Sequence, residues 1–185
     1  RTMFEAAAKD AAALGCRNIV VPSGSAVPYM KRPVQLAIVA KAIASVVPVA
    51  EAHDLTILLE PVNTRMDHPG VLFGMTEDAV NVIEAVNSPR VRLLYDIYHS
   101  ITEGEDPFAV LPKVAHLVGH VQVADAPKLQ MDTLSWSRHW RCLPGQGDFD
   151  LPGFLDCLLA TGYQGPLSLE IFNDRFRAGS ARLVA

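Results

Sequence analysis

Short apolar runs alternate with longer stretches of helical spacing along the chain. The runs are rich in leucine and β-branched residues and almost free of polar interruptions, which is typical of strands buried on both faces. Five strands are predicted, at residues 17–22 (RNIVVP), 55–60 (LTILLE), 91–95 (VRLLY), 117–124 (LVGHVQVA) and 167–171 (LSLEI). Helices are predicted at residues 2–14, 34–53, 76–86, 108–117 and 151–161.

Three residues refine the predicted helices. Pro48 predicts a bend or a break in the second helix and Pro112 an interruption of the fourth, because proline lacks the N–H that a helix interior needs. Thr76 is the predicted N-cap of the third helix, since two acidic residues follow it.

The regular alternation predicts an α/β fold in which helices cover a parallel sheet. A length of 185 residues fits one domain, and no proline- or serine-rich linker divides the chain. A doubly wound sheet and a (β/α)8 barrel both have this order of elements. The doubly wound nucleotide-binding fold carries GxGxxG after a strand, and residues 23–25 (SGS) lack that pattern.

Composition narrows the class of protein. Half of the residues are hydrophobic and 19% are charged, which excludes a disordered chain. The net charge of −4 argues against a nucleic-acid partner. No run approaches the ~20 apolar residues of a membrane span, so no membrane partner is expected. The cysteines at 16, 142 and 157 lack CxxC spacing, which predicts reduced thiols and a cytoplasmic location.

Polar side chains occur at the carboxyl ends of four predicted strands. They are Glu60 and Asn63, Asp96 and His99, His120 and Gln122, and Glu170. Because the carboxyl ends of parallel strands lie on one side of the sheet, we expect these side chains to converge, on the face where barrels carry active sites. His120 and Gln122 share one face of their strand, so either could supply the ligand there.

A set dominated by carboxylate oxygens favours Mg²⁺, Mn²⁺ or Co²⁺ over a thiolate-selected metal. Such an ion would hold a ketone and a neighbouring hydroxyl of a small-molecule substrate and polarise the carbonyl. A nearby carboxylate could then remove the acidified proton. The residues therefore indicate an enzyme that abstracts a proton next to a metal-bound carbonyl.

The segment 138–148 (RHWRCLPGQGD) is too long and too unusual for a plain connection. Its paired arginines, Arg138 and Arg141, suit a carboxylate or phosphate of the substrate, and an exposed basic surface is the alternative. The PGQG sequence is no P-loop, because the GK[ST] ending is missing.

These motifs resemble the xylose isomerase-like superfamily of sugar isomerase and epimerase TIM barrels. Residues 13–24, 58–70, 91–100 and 119–125 resemble hydroxypyruvate isomerase, and residues 141–182 are closer to bacterial 3-dehydroshikimate dehydratases, some of which are fused to a dioxygenase-like domain. The resemblance implies metal ligands at Glu60, Asp96, Gln122 and Glu170. It also implies acid/base roles for Glu60 and Glu170, catalysis by His99, and substrate contacts from His99, His120, Arg141 and Asn63.

The resemblance also implies a fold and a reaction. A (β/α)8 barrel takes ~250 residues, so five strands, taken as the fourth to the eighth, would make residues 1–185 a single partial barrel without the first three β/α units. The expected reaction is isomerisation or epimerisation of a small hydroxy-ketone such as hydroxypyruvate or a keto-sugar. Dehydration of 3-dehydroshikimate to protocatechuate and a non-catalytic barrel fragment are the alternatives. A homo-oligomer and fusion to further domains are compatible with this family.

Overall fold

The structure, a computed structural model, describes residues 1–128 and 139–179. Five parallel strands form one sheet in sequence order: β1 (Asn18–Pro22), β2 (Thr56–Glu60), β3 (Val91–Asp96), β4 (Val118–Val123) and β5 (Leu167–Leu169). The helices are α1 (Thr2–Ala13), α2 (Arg32–Ala44), α3 (Val47–Ala52), α4 (Thr76–Val86), α5 (Ile97–Glu103), α6 (Pro107–Val114), α7 (Leu151–Ala160) and α8 (Asp174–Ala178).

The sheet is a parallel half-barrel. Over residues 1–128 and 139–179, β1 pairs only with β2 and β5 only with β4, so the barrel does not close. This confirms the prediction of an incomplete TIM barrel. The numbering of the strands as the fourth to the eighth, and the single partial domain over residues 1–185, stay predictions.

The two faces of the sheet have different roles. Alternate residues such as Ile57, Leu59 and Leu93 are fully buried in one core with side chains of α4 and α7. The residues between them point to the concave side, because side chains alternate along a strand. The β3–β4 register pairs Asp96 with Gln122, which places both side chains on this concave side.

The local helix predictions are partly confirmed. The break near Pro48 is present, since α2 ends at Ala44 and α3 carries this proline in its first turn. The interruption at Pro112 is wrong, because α6 runs through it to Val114. The neighbouring Leu111 is completely buried, and this packing holds the helix despite the lost hydrogen bond.

The predicted cap at Thr76 is also wrong. Thr76 is the first residue of α4, and its hydroxyl donates to the Glu105 carboxylate at 2.7 Å. The Asp78 carboxylate accepts instead from the backbone N–H groups of Gly74 and Met75. The short helices α5 and α8 were not predicted at all.

One segment contradicts the prediction that no stretch approaches the length of a membrane span. Arg32–Ala52, which comprises α2 and α3, is long and apolar enough to cross a membrane by length and composition alone. Ala40, Ile43 and Ala50 of this segment are buried in the core cluster that includes the sheet residues. A helix in the core of a globular protein passes the same test, so this segment does not by itself indicate a membrane span. The absence of a membrane partner and the cytoplasmic location stay predictions.

The PGQG turn is held by a buried carboxylate. Asp125 follows β4, is 1% exposed, and accepts backbone N–H groups from Ala126 and Phe149 on one oxygen and from Gly145 and Gly147 on the other. A Cβ atom at Gly147 would lie 2.6 Å from the Ala126 backbone and overlap the Asp125 carboxylate. Glycine at this position therefore lets the backbone of the turn approach the Asp125 carboxylate closely.

We expect Asp125→Asn to lower the free energy of unfolding by about 3 kcal/mol, because the amide nitrogen would face N–H donors that lose a charged acceptor. Urea unfolding measures the loss. Asp150→Asn is the matched control, since Asp150 accepts one N–H group, from Gly153, at an exposed helix start, where asparagine also caps well. If the two substitutions lower the free energy of unfolding equally, the Asp125 carboxylate does not stabilise this turn.

Candidate active site

Side chains from several strand ends meet on the concave side of the half-barrel. One carboxylate or imidazole atom from each of Glu60, Asp96, His99 and Glu170 lies within 4.8 Å of the others. Gln122 is adjacent, with its Nε2 3.5 Å from a Glu170 oxygen. The structure thus brings together the four residues that the resemblance assigns to a metal, and adds His99.

The sequence DIYH places two of these groups by a helix start. Asp96 ends β3 and caps α5, where its Oδ1 accepts the Tyr98 N–H at 2.8 Å. His99 then lies in the first turn of α5, and its Nε2 comes 3.8 Å from Asp96 Oδ2. Both side chains are buried, so the strand end and the helix start together fix the pair.

Asn63 sets the orientation of the His99 ring. The Asn63 backbone N–H donates to Nδ1 of His99 at 3.1 Å, while its own Oδ1 accepts from Met66 and Asp67. Burial and the Arg141 charge hold the pKa of His99 well below 6.5, so the ring is neutral.

Arg141 lies at the centre of the cluster and is 1% exposed. Its Nη1 donates to Asp96 Oδ2 at 3.1 Å and to Glu170 Oε2 at 2.6 Å, and its Cζ lies 4.0 Å above the Tyr98 ring. Its backbone N–H donates to the Phe172 carbonyl, which holds the loop against the segment after β5. Its Nη2 lies 3.0 Å from His99 Nε2. A guanidinium can only donate, so Arg141 competes with the Asn63 N–H for the single acceptor nitrogen of the neutral ring.

The electrostatics favour added positive charge. Burial, with repulsion from Asp96 and Glu170, raises the pKa of Glu60 to about 8. Burial also raises the pKa of Asp96 and of Glu170, although Arg141 opposes the rise at both. Three carboxylates therefore share one guanidinium in a buried site.

A cavity of about 440 Å³ opens on the cluster, and its volume suits a small ligand. Its lining includes Glu60, His99, Arg141, Glu170, Val62, His68, Phe172 and Arg177. Neither His68 nor Arg177 is among the site residues predicted from the sequence. His68 lies in the loop after β2, with its ring 5.5 Å from that of His99, and no local pattern signals this approach.

Two of the residues expected to contact the substrate, Asn63 and His120, do not line this cavity, and their substrate roles stay predictions. Asn63 is fully buried behind His99 and does not line this cavity. His120 lies two residues before Gln122 on β4, and its Nε2 forms a hydrogen bond with the Ser168 hydroxyl at 2.7 Å. Arg138, the second arginine of the predicted pair, lies outside the described residues.

Comparison with known proteins identifies the family. A model of the xylose isomerase-like TIM barrel matches residues 1–184. The chain belongs to this family. It is 49% identical over 102 residues to the 3-dehydroshikimate dehydratase of Pseudomonas putida, an alignment that covers 55% of this chain and 16% of that protein. It is 29% identical over 175 residues to a Homo sapiens protein named "Putative hydroxypyruvate isomerase", with 92% of this chain and 59% of that protein covered.

A solved structure shows the same fold. A xylose isomerase-like TIM barrel/4-hydroxyphenylpyruvate dioxygenase fusion protein is 33% identical and superposes with a TM-score of 0.80 over 98% of this chain and 28% of that chain. The recognition of the superfamily, with both hydroxypyruvate isomerase and 3-dehydroshikimate dehydratase among the relatives, is confirmed. The chain spans about a sixth of the Pseudomonas protein and under two thirds of the human one.

Proposed function

We propose that this chain carries the active site of a divalent-metal-dependent isomerase or epimerase that acts on a small hydroxy-ketone, such as hydroxypyruvate or a keto-sugar. The convergence of Glu60, Asp96, His99 and Glu170 within 4.8 Å is the observation that supports it. Such a cluster at the carboxyl ends of barrel strands lies where active sites of this fold occur.

The donor set fits a divalent cation. The proposed ligands are Glu60, Asp96, Gln122 and Glu170. Gln122 Oε1 is buried and has no hydrogen-bond partner among residues 1–128 and 139–179, so it offers a neutral oxygen beside the carboxylates. Oxygen donors favour Mg²⁺, Mn²⁺ or Co²⁺. When bound, the ion supplies Lewis-acid polarisation of the substrate carbonyl.

The residues of the chain then move the proton. Burial raises the pKa of Glu170, but its 2.6 Å hydrogen bond from Arg141 favours the carboxylate form, and this carboxylate is the proposed base that accepts a proton from the carbon next to the carbonyl. Glu60 belongs to the same cluster and is the proposed acid: it delivers a proton to the neighbouring carbon in an isomerisation, or to the opposite face of the same carbon in an epimerisation. His99 is neutral and lines the cavity, so it contacts the substrate without acting as the base.

A 3-dehydroshikimate dehydratase is the second candidate, and the 49% identity to the Pseudomonas putida enzyme favours it. The same base would remove the proton next to the ketone, and the hydroxyl at the following carbon would leave as water after it is protonated. Enolisation of the remaining ketone then gives an aromatic product, protocatechuate.

Turnover of the purified protein tests both candidates. With Mg²⁺ or Mn²⁺, we expect conversion of hydroxypyruvate to its aldehyde isomer, and loss of that conversion in a chelator. Formation of an aromatic ultraviolet absorber from 3-dehydroshikimate would instead establish the dehydratase. Absence of turnover of hydroxypyruvate, keto-sugars and 3-dehydroshikimate in the presence of metal would refute both candidates and favour a non-catalytic barrel fragment.

A further inference from the structure

We propose that the substrate carries a carboxylate and that Arg177 of α8 binds it. This inference rests on the proposed function, because it assigns the substrate class of the same cavity. Arg177 lines the cavity together with Glu60, His99 and Glu170, so the guanidinium can reach a molecule bound beside the cluster. None of the sequence motifs singled out this arginine.

The position of Arg177 follows from the contacts that Asn173 makes with the loop carrying Arg141. Trp140 forms an isolated antiparallel bridge with Asn173, and the Asn173 side chain donates to the Arg141 carbonyl at 2.9 Å. Asn173 also caps α8, since its Oδ1 accepts the Arg175 N–H at 3.0 Å. The start of the helix is thereby fixed to the loop that carries Arg141, and Arg177 lies one turn further along.

Phe172 links the two arginines of the cavity. The Cζ atom of Arg141 lies 5.2 Å from the centre of the Phe172 ring, and that of Arg177 lies 5.1 Å from it. A guanidinium over an aromatic ring is restrained in position without losing its N–H donors. Arg177 is therefore held at the cavity with its donors still available.

Arg177 has no charged partner among the residues that the structure describes. Arg141 is already paired with Asp96 and Glu170. Arg177, in contrast, forms no side-chain hydrogen bond or ion pair with the described residues, although it lies in a cavity that also contains two glutamates. A planar guanidinium with free N–H groups matches a carboxylate geometrically and in charge. The geometry thus assigns a small hydroxy-ketone acid, rather than a neutral sugar, to this cavity.

Ligand binding to the Mg²⁺-loaded protein tests the inference by calorimetry. Two pairs of unreactive probes differ only in the acid group: glycerate against glyceramide, and shikimate against methyl shikimate. We expect the wild-type protein to bind the acid of at least one pair about tenfold more tightly. Arg177→Gln should raise the Kd of that acid roughly ten- to hundredfold and change the Kd of the neutral probe less than about threefold.

Two further variants separate charge recognition from structure. Arg177→Lys should restore part of the preference for the acid, because the charge is kept. Arg175→Gln is the matched control, since Arg175 is an exposed arginine of the same helix that does not line the cavity, and this variant should bind the probes like the wild type.

Three outcomes would overturn the inference. They are an equal loss of affinity for acid and neutral probes in Arg177→Gln, no loss of affinity for either probe, and equal affinity of the wild type for both. If the acid preference depends on Arg177 but no hydroxy-ketone is turned over, the proposed function fails and the acid site stands.

Discussion

Glu60→Gln is expected to lower kcat/KM by about a thousandfold and yet to stabilise the metal-free protein at pH 8. The loss of activity follows from removing both a proposed metal ligand and a proton donor. The gain in stability follows from the surroundings of Glu60, where burial and two neighbouring carboxylates disfavour the charged form. A neutral amide of the same shape removes that repulsion.

The direction of the pH dependence can be derived from the pKa values. The pKa of Glu60 is about 8 in the folded protein against 4.5 as its ordinary value. Between these two values the folded state keeps a proton that the unfolded chain releases, so the free energy of unfolding falls as the pH rises. We expect the advantage of Glu60→Gln over the wild type to grow by about 3 kcal/mol from pH 5 to pH 8, as measured by urea unfolding in a chelator.

Glu84→Gln is the control, since Glu84 is exposed on α4 and should affect neither activity nor the pH dependence. Saturating Mg²⁺ or Mn²⁺ should reverse the order of stability, because the cation binds the ionised wild-type site more tightly. A Glu60→Gln variant that keeps its activity, or one whose relative stability is the same at pH 5 and pH 8, would contradict this account of Glu60.

The carboxyl ends of the strands could be predicted because they depend on local rules. An apolar run followed by Glu60, Asp96 or Glu170 indicates both the strand and the side on which it ends, since parallel strands share one orientation. The two-residue period also places Gln122 on the same face as these carboxylates. The three carboxylate candidates therefore needed no long-range information beyond the parallel arrangement, whereas the choice of Gln122 over His120 came from the family resemblance.

The rest of the site depends on contacts between distant segments. Arg141 reaches the centre of the cluster because its loop pairs with Asp125 on one side and Phe172 on the other. His68 approaches His99 across the loop after β2, and Arg177 is placed by the cap at Asn173. No periodicity encodes such contacts, and the short helix α8 is below the length at which helical spacing is informative.

Competition between polar groups explains the errors in the helix predictions. Thr76 has the residue type of an N-cap, but the Glu105 carboxylate binds its hydroxyl, and Asp78 satisfies the free N–H groups of the preceding residues. A local signal for capping therefore gave the correct helix with the wrong first residue, because the deciding acceptor comes from a segment distant in sequence.

Arg141→Met should be the most destabilising single substitution in the site when metal is absent. Arg141 and Asp96 are almost completely buried, and removing the guanidinium leaves Asp96 and Glu170 without a cation, which costs about 3–5 kcal/mol for a buried ion pair. Urea unfolding in a chelator measures the loss, and saturating Mg²⁺ or Mn²⁺ should recover part of it by neutralising the same carboxylates. The control Arg17→Met breaks an exposed pair with Asp54 and should cost little. If both substitutions lower the free energy of unfolding equally, or if the metal restores none of the loss in Arg141→Met, Arg141 does not neutralise the carboxylates of this cluster.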